Sequence, residues 1–169
     1  MGEWRRKQAE YSWLLTMMGE WVPFDELTRL VLGYALRRHK VNTDVARLMS
    51  LWHEVEPFND YTYLRNIMKS KSNARKLVAL TNGTKESVRK LFARYDVLKD
   101  MEVYSEEYLR VYKPARRVYD LVKKKIGGEE EGEVYLVSSN SFDIIGAKNA
   151  GLKALYINRS NIAMDALGQ

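Results

Sequence analysis

Apolar residues recur at helical spacing through the first 57 positions. Tyr11, Leu14, Leu15 and Met18 fall on one stripe, and Trp13, Met17 and Trp21 on another. That pattern predicts a helix that is apolar on two sides and must bury against more than one neighbour. Pro23 is expected to break it. Asp25 is a suitable N-cap for a second helix bearing Leu27, Leu30, Val31, Tyr34 and Ala35 in register, because a short carboxylate can accept from the first free backbone N–H groups. Thr43 can cap a third, with Val45, Leu48, Met49 and Trp52 on its face. Pro57 and Asn59-Asp60 mark a boundary, and a fourth helix is expected through Leu64, Ile67 and Met68.

The period then changes. Short apolar runs at residues 77–80, 101–104, 134–138 and 154–157 alternate with helical stretches. Thr84 caps a helix bearing Val88, Leu91, Phe92 and Tyr95. Pro114, after Lys113, takes the first position of another, whose face is Val118, Leu121, Val122 and Ile126 and which Gly127 ends. The GGEEEGE segment reads as an exposed turn. Strands separated by helices of this length argue for a parallel sheet with right-handed crossovers. The expected fold is α/β, with a helical subdomain over residues 1–57 and a partial doubly wound core over residues 58–169.

Composition narrows the class. The 169 residues are 46% hydrophobic, enough for a sizeable core and against global disorder. Cysteine is absent, which rules out disulfides, thiolate metal sites and a cysteine nucleophile within these residues. The basic start Arg5-Arg6-Lys7 is not followed by the apolar core of a signal peptide, and no apolar run approaches a membrane span. A cytoplasmic location is expected. The net charge of +6 is dispersed along helix faces, as on a solvated surface, so neither nucleic acid nor a membrane is the expected partner. The 30% charged content is weakly thermophile-like.

The chemistry concentrates at strand ends, where open α/β sheets place their ligands. The strand at 134–138 delivers Ser138, Ser139 and Asn140 to its carboxyl end, and Asp143 follows in the first helical turn. The strand at 77–80 ends in Thr81-Asn82-Gly83. Taken singly, these are ordinary turn and cap residues. His39 and His53 lie on different helices without a third ligand, which makes a histidine metal site improbable.

Four segments in order, WRRKQAEYSWL (residues 4–14), LTNGT (80–84), VYKPARRVY (111–119) and VSSNSFDIIGAKNAGL (137–152), with a final INR (157–159), resemble the (S)-2-haloacid dehalogenase branch of the haloacid dehalogenase superfamily. The resemblance implies a Rossmann-like core whose first strand carries a nucleophilic aspartate and lies between the strands ending at Thr81 and Ser138. It implies SN2 displacement of halide from short (S)-2-haloalkanoic acids, then hydrolysis of the aspartyl ester, without metal or organic cofactor. By the same resemblance Arg5 receives the halide and Lys113 holds the nucleophile ionised. Asp143 pairs with Lys113 and positions water. Thr81, Asn82, Ser138 and Asn140 orient substrate, Tyr119 lines the site, and Phe24 and Phe142 form apolar walls. A small 2-haloacid-like substrate is the implied partner, and a homodimer is an assembly this reading allows. Phosphatases of the superfamily usually carry a second acid near the last motif to bind magnesium; here Asp143 stands alone.

The family's first motif, an apolar strand running into Asp-x-x-Gly-Thr, has no counterpart. VPFDELT, residues 22–28, is the nearest imitation, with proline inside the would-be strand and no glycine. The expectation is a truncated or mis-started member that is inactive as it stands. The alternatives are a decayed, non-catalytic interaction module and, third, a small-molecule phosphatase relative.

Overall fold

The computed structural model describes residues 2–56, 60, 61, 63, 66, 76–96, 98–126, 134–159 and 161–168. Helices α1 (Glu3–Met18), α2 (Phe24–Arg38) and α3 (Val45–Ser50), with a 3-10 turn at Leu51–Glu54, precede an alternating part. That part runs β1 (Val78–Thr81), α4 (Lys85–Phe92), β2 (Glu102–Ser105), α5 (Arg116–Ile126), β3 (Tyr135–Ser138), α6 (Ser141–Asn149) and β4 (Lys153–Tyr156). The strands pair in parallel, Val78 against Glu102 through Thr81 against Ser105, and Tyr135 against Lys153 through Ser138 against Tyr156. Among the described residues they form two two-stranded sheets, β1–β2 and β3–β4. The architecture is α/β with parallel strands, as expected.

Contacts divide the chain into two compact units, Met1–Tyr11 with Val22–Glu107, and Ser12–Trp21 with Tyr108–Gln169. In the first, Leu27 and Val31 of α2 and Val103 of β2 are buried. Leu27 and Val31 are four apart and stand on one helix face. In the second, Val111, Tyr112, Val118, Tyr119, Val122, Ile144, Ala147, Ala150 and Leu152 make the core. Val118 and Val122 of α5 repeat the same spacing, and Tyr119 adds a broad aromatic surface. Parallel sheets are ordinarily covered on both faces. Here β3 and β4 alternate instead, with Tyr135, Val137 and Leu155 on the exposed side.

Several local expectations are corrected. Helix α1 stops at Met18, before Pro23, and Gly19 follows at φ +73°; glycine takes that left-handed turn without a Cβ penalty. Its two apolar stripes are not the buried face: Met17 is 77% exposed and Met18 64%. The buried residue of α1 is Ser12. Thr16 donates to the Ser12 carbonyl at 2.9 Å and accepts from the Tyr112 amide at 3.1 Å. The Thr16 hydroxyl thus links the helix backbone to the Tyr112 amide. Asp25 does not cap α2; Pro23 holds that position, and Asp25 lies in the first turn. Asp44, not Thr43, caps α3, accepting from the Ala46 amide at 2.8 Å. Lys113 and Pro114 form a turn, joined by a cis peptide bond, and α5 begins two residues later at Arg116. Leu64, Ile67, Met68, Gly127 and the GGEEEGE segment lie outside the described residues.

Candidate functional site

The second unit holds a buried polar cluster. Strand β3 ends at Ser138, whose Oγ accepts from the Asn140 amide at 3.1 Å. Asn140 takes extended backbone angles as the N-cap residue of α6, and its carbonyl accepts from the Asp143 and Ile144 amides. The chain therefore turns sharply from strand into helix and places Asp143 in the first helical turn. There the helix dipole favours a negative charge.

Asp143 is buried, and two elements from elsewhere in the unit meet it. Lys113 Nζ donates to Oδ2 at 2.9 Å, and the Tyr119 hydroxyl donates to Oδ1 at 2.8 Å. The side chains of Lys113 and Asp143 are 10% and 4% exposed. An ion pair this dry survives only because charge and hydrogen bonds compensate desolvation on both sides. Each carboxylate oxygen has one donor fixed on it, which leaves acceptor capacity for a further proton donor such as water.

Gly146 makes the arrangement possible. A Cβ built there would stand 2.6 Å from the Tyr119 hydroxyl, 2.7 Å from Tyr119 Cε2 and 2.7 Å from Pro114 Cβ. Only a residue without a side chain lets α5 bring Tyr119 onto Asp143. The expectations named Tyr119 but not the glycine beneath it. Its only trace in the sequence is a glycine three residues after Asp143, in the interior of a helix where glycine is disfavoured. Phe142, next to Asp143, packs edge-on against Trp13 with centroids 5.6 Å apart.

The remaining candidates belong to the first unit. At the end of β1, Thr81 Oγ1 accepts from the Gly83 amide at 2.9 Å. The loop is braced at several points. Ser105 Oγ donates to the Gly83 carbonyl at 3.0 Å, Thr84 Oγ1 donates to Asp25 Oδ2 at 3.0 Å, and the Lys85 amide donates to Glu107 Oε2 at 2.9 Å. Thr84 also caps α4, accepting from the Ser87 amide at 3.2 Å, as expected. Asp25, expected as a cap, instead ties the start of α2 to this loop. Asn82 and Phe24 are half-buried in the same unit. Arg5 is exposed, its guanidinium 5.4 Å from the Trp4 ring centroid. The structure thus joins Lys113, Tyr119 and Asp143 by direct bonds, with Ser138, Asn140 and Phe142 on the adjoining turn. In the other unit it braces the turn after Thr81 through Asp25, the residue following Phe24. Among the described residues no group of three or more His, Asp or Glu could hold a metal ion.

Residues 3–151 match the family model described as haloacid dehalogenase-like hydrolase. The chain is 32% identical over 168 residues to haloacetate dehalogenase H-2 of Moraxella sp. (strain B), covering 98% of this chain and 75% of that protein. It is 28% identical to an (S)-2-haloacid dehalogenase of Pseudomonas sp. (strain YL), covering 98% and 72%. Among solved structures, L-2-haloacid dehalogenase from Xanthobacter autotrophicus with chloropropionic acid covalently bound superposes with a TM-score of 0.81 at 31% identity, covering 96% of this chain and 65% of that one.

Proposed function

The chain belongs to the haloacid dehalogenase-like hydrolases, and from that premise we propose that it serves the hydrolytic dehalogenation of short (S)-2-haloalkanoic acids through an aspartyl ester. The observation that carries this reading is the buried Lys113–Asp143–Tyr119 cluster at the carboxyl end of β3. The relatives' names support the substrate class, and the covalently bound chloropropionic acid of the Xanthobacter enzyme supports an ester intermediate.

The reaction has two steps. A carboxylate oxygen attacks C2 of the acid, the carbon–halogen bond breaks with its electron pair on the halide, and Arg5 receives that anion through charge and several donors. Water then attacks the ester carbonyl, releasing the 2-hydroxy acid and restoring the carboxylate. Lys113 keeps the attacking carboxylate ionised, and Asp143 orients the water and takes up its proton. Thr81, Asn82, Ser138 and Asn140 orient the substrate carboxylate, Phe24 and Phe142 supply apolar walls, and Tyr119 fixes Asp143. Residues 1–57 act as a helical cap subdomain. This reading takes the attacking carboxylate from an Asp-x-x-Gly-Thr segment, which the 169 residues do not contain.

The expected result is no halide from (S)-2-chloropropionate with the 169-residue chain alone. Measurable release would overturn the need for an added aspartate. A longer polypeptide carrying Asp-x-x-Gly-Thr ahead of Trp4 is expected to release chloride and to lose that activity in Arg5→Ala. Unchanged turnover in that variant would sink the halide role.

A further inference from the structure

The first unit contains an apolar cavity of about 500 Å³ in which only Arg5, among the lining residues, has a role above. Its size lies within the usual range for small-molecule sites, roughly 300–1,000 Å³. Leu32 and Leu36 of α2, Leu48 and Met49 of α3, and Trp4 and Val55 are among its apolar lining. Arg5 and His39, both exposed, also line it, and no carboxylate does so among the described residues.

The two side chains are not equivalent. His39 Nε2 is 2.5 Å from Glu3 Oε2, and Arg38 Nε is 3.0 Å from Glu3 Oε1. The His39 hydrogen bond, foremost, holds the Glu3 carboxyl below its usual range, so Glu3 stays ionised and committed to those two side chains. Arg5 has no ion pair among the described residues; its guanidinium lies 5.4 Å from the Trp4 ring centroid. A guanidinium without a counter-ion at the mouth of a hydrocarbon-lined cavity selects a ligand with an anionic head and an apolar tail. The cavity is too roomy for a two- or three-carbon acid to fill.

We propose that this cavity is a binding site for a medium-chain carboxylic acid of about six to ten carbons, its carboxylate on Arg5 and its chain between α2 and α3. The binding claim stands on the cavity alone. Its consequence, that such an acid competes with halide for Arg5, rests on the dehalogenase reading above.

The test is calorimetric titration of the 169-residue chain with sodium butanoate, hexanoate and octanoate, and with octanol. Burial of a methylene tightens binding by about fourfold, so octanoate is expected to bind more than a hundredfold tighter than butanoate. Arg5→Leu is expected to weaken octanoate by about tenfold and leave octanol unchanged. Leu36→Trp narrows the cavity with a bulky ring and is expected to weaken both octanoate and octanol. Absence of saturable octanoate binding would overturn the site. So would affinity independent of chain length, or octanoate binding untouched by both substitutions. A self-associated chain that gives no heat with octanoate assigns the cavity to a second copy and also overturns it. Because the titration needs no turnover, its failure leaves the dehalogenase reading standing, and absent halide release leaves the binding result standing.

Discussion

Lys113→Met is expected to lower the free energy of unfolding by about 3–5 kcal/mol, the usual cost of removing one partner of a buried ion pair. Asp143 would be left without its ammonium partner in a site where its side chain is only 4% exposed, with the Tyr119 hydroxyl still donating to it. One neutral donor does not replace an ammonium at 2.9 Å. Urea denaturation followed by circular dichroism measures the loss. The double variant Lys113→Met, Asp143→Leu is the control. Replacing both charges by apolar groups of similar volume removes the stranded carboxylate, so most of the lost stability should return. A single variant as stable as the parent would mean that the pair is not held dry in solution. A double variant as unstable as the single would place the cost in packing and not in charge.

Gly146→Ala is the second large effect. One added methyl group must displace Tyr119 or Pro114, both within 2.7 Å of the new carbon. Overpacking of this kind costs about 1–3 kcal/mol. If the ring moves, the Tyr119–Asp143 bond goes as well, at about 1.5–3 kcal/mol for a hydrogen bond to a charged group. A total near 3 kcal/mol is expected from the midpoint of urea unfolding. Gly33→Ala provides the contrast. Its new methyl would meet only the mobile end of Arg37 at 3.4 Å, and alanine is the better helix former by about 0.5–1 kcal/mol. Stabilisation at position 33 with destabilisation at 146 separates close packing from helix propensity. Equal effects would refute the steric account.

The strands were legible because each is a short apolar run between turn residues. They are displaced by only one residue at residues 77–80, 101–104 and 154–157, where the ladders begin one position later or earlier. Thr84 was legible as a cap because its hydroxyl has no better local use. Asp25 and Thr43 were misplaced for the opposite reason. Asp25 is taken by a hydroxyl 59 positions away, and Asp44, adjacent to Thr43, has the stronger acceptor. Local pattern carries no information about either competition. The exposed stripes of α1 mark the same boundary: periodicity says which residues share a face, not which face finds a neighbour. The meeting of Lys113 with Asp143 came from the resemblance and not from spacing. The structure supplies what neither gave, namely that Gly146 is the empty volume into which Tyr119 fits.

The pairing of the strands two by two has a consequence for handling the protein. The outer edge of a strand paired on one side carries alternate amide and carbonyl groups of the kind that can take a further strand. Beside them, in the β3–β4 pair, lie Tyr135, Val137 and Leu155 on an open face. The same backbone chemistry that completes a sheet within a fold can complete it between molecules.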